Sequence, residues 1–226
     1  MNEKLSTPRT VIRLLTFRIS RDEFLQFNKT HLAVGVVATW IVGIGRWWDD
    51  PGARLLQHLG AGSLIYIFLL ALLLWLIIWP LKPERWSYRH VLTFVSLTSF
   101  PAILYAIPVE SFVSMATART LNVWFLAVVA AWRVALLFFY LKRYARLPAF
   151  SIVVAALLPI TFIIVSLTML NLERAVFEVM GGLRGAGTAN DDAYGVLLML
   201  TLISGFLFIP LLLCYISLCA LSFLRK

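Results

Sequence analysis

Apolar residues in this chain come in long unbroken runs separated by short polar stretches, without the alternation of a strand or the one-sided stripe of a soluble helix. Six runs stand out, at about 31–48, 60–81, 91–109, 121–141, 147–170 and 195–223. Roughly 20 apolar residues are needed for a helix to cross about 30 Å of hydrocarbon, and each run is close to that length. The pattern predicts an all-α fold, a polytopic transmembrane bundle of six spans forming one membrane domain over residues 30–226. The first run is the shortest and holds Gly35, Gly43 and Gly45, which makes it the weakest span.

Ahead of the bundle, residues 1–29 form a separate basic arm. Thr7 is placed to cap a helix with Pro8 at its first position, where the missing N–H costs nothing. Ile12, Leu15 and Ile19 then share one stripe, with Val11 and Leu14 beside it. Arg9, Arg13, Arg18 and Arg21 make the segment basic and amphipathic, so it is expected to lie on the membrane surface with its arginines at anionic headgroups. Ser20 and Glu23 have capping-box spacing, predicting a second helical start.

Composition agrees with the membrane reading: 61% of the 226 residues are hydrophobic and 14% charged, against about a quarter charged in a soluble domain. Charge then orients the chain, because Lys and Arg in short loops favour the cytoplasmic side. With the N-terminus inside, 14 of the 20 Lys and Arg fall on the inner side, five on the outer side, and Arg133 within the membrane. Removing the first span would split the other nineteen 11 to 8, a poorer asymmetry. Both termini are therefore expected in the cytoplasm, with the chain multi-pass in the inner (cytoplasmic) membrane. The net charge of +9 is explained by this topology and implies no nucleic-acid partner.

On the outer side, Trp47 and Trp48 follow the first run and suit the interfacial aromatic belt. The glycines of "MGGLRGAG" lack the lysine and hydroxyl residue of a phosphate loop. Asp191 and Asp192 read as a turn and helix cap. His31 and His90 fall on the inner side and His58 on the outer, so the three cannot share one metal ion. Cys214 and Cys219 sit five apart on the last run and read as packing residues. No catalytic, cofactor-binding or metal-ligating pattern emerges, and no cofactor is expected.

Pro101, Pro159 and Pro210 each interrupt a run and should kink its helix, with neighbouring Ser or Thr serving the freed carbonyls. Three kinks could frame a polar cavity, as broken helices do in transporters; static packing is the simpler reading.

Arg133, in "NVWFLAVVAAWRVALLFFYLKR", is the one charge deep in a span. It lies 12 residues from Leu121 and eight from Leu141, about 18 Å and 12 Å along the helix. Facing lipid would cost about 2.5–3.5 kcal/mol, so the side chain is expected to point inward and pair. Glu110, after the third run, is the expected partner, with Glu173 beyond the fifth as the alternative. The other reading of Arg133 is a site for an anionic solute.

The stretches "TPRTVIR", "SYRHVLTFVSLTSFPAILYAIP" and "VWFLAVVAAWRVALLFFYLKR" resemble bacterial members of the Ypt-interacting protein (Yip) membrane family over about residues 7–165. That resemblance implies a basic, proline-containing arm ahead of a compact helical bundle, usually of five spans where six are counted here. It also implies a non-enzymatic role in membrane organisation through partners; eukaryotic members engage prenylated Rab-type GTPases. Three function classes follow: a scaffold acting through a protein partner or as a homo-oligomer, a small transporter or channel using Arg133, and an intramembrane lipid-modifying enzyme using Glu110, Glu173 or a histidine.

Overall fold

Helices form wherever the apolar runs predict them, but the run at 91–109 is broken in two. The computed structural model describes residues 6–44, 55, 59–170 and 191–224, apart from the side chains of Tyr105, Glu110, Met115, Arg119 and 191–197. The elements are α1 (Thr7–Leu15), α2 (Arg21–Leu25), α3 (Lys29–Ile44), α4 (Ala61–Ile78), α5 (Tyr88–Leu97), α6 (Met115–Arg143), α7 (Ala149–Met169) and α8 (Asp191–Leu224). Short 3₁₀ segments at Trp79–Leu81, Phe100–Ala106 and Val109–Ser111 join them, and no strand occurs among the described residues.

Four helical stretches are long and apolar enough to cross a membrane: Ala61–Leu81, Ala116–Arg143, Ala149–Met169 and Leu198–Leu224. The other two runs fall short as single helices. With 16 residues, α3 reaches about 24 Å. In the third run α5 stops after Leu97 and the chain continues as the 3₁₀ segment Phe100–Ala106. Pro101 has no N–H for an α-helical bond, while hydroxyls upstream take up carbonyls locally. Thr98 Oγ1 donates to the Val95 carbonyl at 2.8 Å and Ser96 Oγ to that of Thr93 at 3.0 Å. By contrast, α7 runs unbroken through Pro159 and α8 through Pro210. Thr161 Oγ1 bonds the carbonyls of Leu157 and Leu158, both at 3.1 Å.

The broken element is the centre of the bundle. Every residue from Val91 to Ser99 is buried, and α5 packs against α3 and α4. Close approach to α3 depends on Gly35: a methyl built there would overlap Ser96 Oγ and lie 2.9 Å from Ser96 Cβ and 3.0 Å from the Leu97 nitrogen. Thr39 bridges the same seam, donating to the Gly35 carbonyl at 2.8 Å and reaching that of Ser96 at 3.4 Å. The last helix is peripheral. It lies mainly along α7, and its far end is tied to α4 by Tyr215 Oη to the Ile77 carbonyl (2.8 Å) and to the 3₁₀ segment after it by Ser222 Oγ to the Pro80 carbonyl (2.7 Å).

Part of the arm packs into the bundle. α1 forms with Pro8 in its first turn, although Ser6 precedes it in extended conformation and Thr7 is already helical. The predicted capping box is present, with Ser20 and Glu23 bonding each other's backbone N–H. Val11, Leu14, Ile19, Phe24 and Phe27 are buried in the core of the protein, while Ile12, on the stripe expected to meet lipid, is 62% exposed. The docked face holds Val11 and Leu14, beside that stripe, together with Ile19 from it. Trp132 Nε1 of α6 donates to the Leu15 carbonyl at 3.0 Å, fixing how α1 seats.

Candidate functional site

The arm, the loop before α5, the α6–α7 loop and the end of α8 meet at one end of the bundle. Glu84 of the first loop pairs with Arg21 of the arm and, at 3.7 Å, with Arg146 of the second loop. Lys82 Nζ donates to the Ser222 carbonyl of α8. Within the arm, Arg13 Nε lies 2.9 Å from Glu23 Oε1. Accordingly α3, α5 and α7 begin here, and α4, α6 and α8 end here.

Beneath these charges lies an aromatic nest. Tyr140 and Tyr144 are four apart on α6 and its end, hence on one face, and their rings stack at 4.9 Å. Phe94 of α5 stacks on Tyr140 at 4.1 Å. Phe24 of α2, fully buried, enters from the arm with its ring 5.2 Å from Tyr140 and 5.9 Å from Tyr144. Trp86 closes one side, and the His90 ring stacks on Tyr144 at 5.6 Å. Tyr144 Oη donates to the Arg85 carbonyl at 2.7 Å. Burial pushes the Tyr144 phenol up to about 12, against the opposing pull of Arg85 and Arg21.

Two histidines sit where helices start at this end. Asn28 Oδ1 accepts the backbone N–H of Thr30 and His31 and lies 2.9 Å from His31 Nδ1. Ser87 Oγ lies 2.8 Å from His90 Nδ1 and accepts the His90 backbone N–H. The remaining ring nitrogen of each, Nε2, is buried and makes no hydrogen bond. Burial lowers the His90 pKa and the Arg89 charge lowers it further, while the Leu25 backbone acts the other way.

The predicted basic residues divide by role. Arg13 and Arg21 are in ion pairs, whereas Arg9 and Arg18 are exposed. Arg133 is half-buried, with its guanidinium carbon 5.7 Å from the centre of the Tyr66 ring on α4, a cation–π contact. Among the described residues no carboxylate pairs with it. The expected partners, the Glu110 side chain and Glu173, lie outside the described residues, as do Trp47 and Trp48. Among the described residues no group of three or more His, Cys, Asp and Glu side chains is placed to hold a metal ion. Cys214 and Cys219 are free thiols.

Sequence reading did not single out the nest. Its usable signal was the spacing of Tyr140 with Tyr144 and of Trp86 with His90, each four apart near the end or start of a helix. No family model, curated protein or solved structure matches the chain.

Proposed function

We propose that this is a non-enzymatic, membrane-organising protein of the bacterial inner membrane, acting through partners at its arm-bearing end, which faces the cytoplasm. The observation that carries the reading is the platform there. A buried aromatic nest joins the arm to α5, the end of α6 and the loop before α5. Lys82 ties α8 to that loop, and exposed Arg9, Arg18, Arg89, Lys142, Arg143 and Arg146 lie on the same arm, helix ends and loops. Exposed Ile12 and Phe17 beside Arg9 and Arg18 suit an anionic headgroup layer. The resemblance to the Yip family favours the same role.

In this topology the chain crosses six times and both termini are cytoplasmic. The Lys and Arg distribution of 14 inside to five outside supports it. With Gly187→Cys and Lys226→Cys in separate cysteine-free chains, an impermeant thiol reagent should label the two from opposite sides; labelling from one side refutes six crossings. For function, cross-linking and capture from native membranes should yield a partner with the wild-type chain and lose it with Arg89→Glu/Arg143→Glu. Equal capture by both overturns the platform reading.

A second reading, a small anion transporter, is favoured by Arg133, which lies on Tyr66 without a carboxylate among the described residues. Anion flux in proteoliposomes that disappears with Arg133→Gln would put it first.

A further inference from the structure

His31 and His90 flank the docked arm from two sides. His31 lies in the first turn of α3, just after the arm, with its ring 5.6 Å from that of Phe27. His90, near the start of α5, lies against Tyr144 and within reach of the Leu25 backbone of the arm. Each ring has one nitrogen spent on a capping residue and the other, Nε2, buried without a hydrogen bond; the Leu25 backbone favours the charged form of His90 but is outweighed by burial and by Arg89. Each also sits in the first turn of its helix, where the dipole disfavours positive charge.

The surrounding charges add to this. Arg89 acts on His90, and Arg85 and Arg21 act on Tyr144 beside it. On the arm Arg13 faces Glu23, and on the loops Arg146 faces Glu84. The two glutamates are already engaged by Arg13, Arg21 and Arg146. No free carboxylate among these groups can receive an imidazolium.

We infer that the arm is an acid-released latch: protonation of His31 and His90 at the arm–bundle seam frees residues 6–27 and uncovers the aromatic nest of Phe94, Tyr140 and Tyr144. Imidazole is the side chain that ordinarily changes charge between pH 5 and 8. The sign is fixed by burial. A histidine held neutral when docked, with an ordinary value of about 6.5 when released, favours docking above that pH and loses the contribution as pH falls below it. Each histidine can shift the docking equilibrium by up to about tenfold per pH unit over that range, and two by up to about a hundredfold. The inference does not depend on which partner the platform binds.

The test uses the full chain in nanodiscs with Cys214→Ser and Cys219→Ser. Spin labels at Asp22→Cys on the arm and Lys142→Cys on α6, both exposed positions, report the distance between arm and bundle. One short-distance population is expected at pH 7.5, and the ratio of long to short should rise at pH 5.5, by up to about a hundredfold. The same labels with His31→Gln/His90→Gln should stay short at both. Absence of a long-distance population at pH 5.5 in the parent chain overturns the latch, and so does an equal rise in the glutamine variant. Should that variant fail to fold, the parent titration decides: a midpoint between about 5 and 6.5 supports the histidines, and one near 4, where carboxylates titrate, assigns release to Glu23 and Glu84 and overturns the inference.

Discussion

Gly35→Ala tests whether the centre of the bundle depends on backbone-to-backbone proximity. The added methyl would overlap Ser96 Oγ and sit 2.9 Å from Ser96 Cβ and 3.0 Å from the Leu97 nitrogen. Rotating the serine hydroxyl removes only the first conflict. The others involve Cβ and main chain, so α3 or α5 must shift, stretching the Thr39 bridge to the Ser96 carbonyl. Overpacking of this kind costs about 1–3 kcal/mol, while the better helix propensity of alanine returns at most about 1 kcal/mol. Because two of the conflicts involve atoms that cannot rotate away, the cost falls in the upper part of that range, about 2–3 kcal/mol, and the net expectation is a loss of about 1–2 kcal/mol. At about 2–4 °C per kcal/mol for a chain of this size, Tm should fall by roughly 2–8 °C. The assay is thermal unfolding in nanodiscs, combined with a double-mutant cycle using Ser96→Gly. Ser96→Gly removes Oγ and Cβ together, so the cycle should show positive coupling of about 0.5 kcal/mol or more. A neutral or stabilising Gly35→Ala, or an additive cycle, would refute the account.

Phe24→Ala should detach the arm and cost about 3–5 kcal/mol by loss of a fully buried ring, whereas Glu84→Gln, at a half-exposed ion-pair site, should cost under about 1 kcal/mol. Limited proteolysis of the arm ranks the two, and the reverse order would show that charge holds it. Arg133→Glu alone should destabilise the protein and Glu110→Arg should partly restore it, read as recovery of Tm; no recovery removes Glu110 as the partner. Pro101→Ala and Pro210→Ala should change stability at most, and a loss of partner capture at unchanged Tm would instead make the prolines functional.

The long helices α4, α6, α7 and α8 were legible because an uninterrupted apolar run has one cheap conformation in hydrocarbon, a helix. The break in the third run was less so. Pro101 flagged it, but the outcome depended on Ser96, Thr98 and Ser99 taking up nearby carbonyls, which hydropathy does not register. An amphipathic arm offers the same face to lipid and to protein, so the sequence could not place Val11 and Leu14 inside the bundle. The contact of Arg133 with the Tyr66 ring joins residues 67 positions apart that no spacing rule connects. The nest likewise joins Phe24, Phe94 and Tyr140 across three segments.

The burial of α5 bears on how the chain is made. On the proposed topology this element must enter the bilayer carrying Thr93, Ser96, Thr98 and Ser99, all of which end up shielded by neighbours. Two of those neighbours, α3 and α4, are synthesised before it, but the stacking partner of Phe94 is Tyr140 on α6, synthesised after it. A ribosome-bound chain that ends soon after residue 112 therefore presents the insertion machinery with a short, hydroxyl-rich helix missing one of its walls. Translocation reporters fused after residue 112 should show incomplete insertion of α5, and fusions after residue 146 should complete it, making commitment of this helix to the membrane a post-synthetic event guided by a later one.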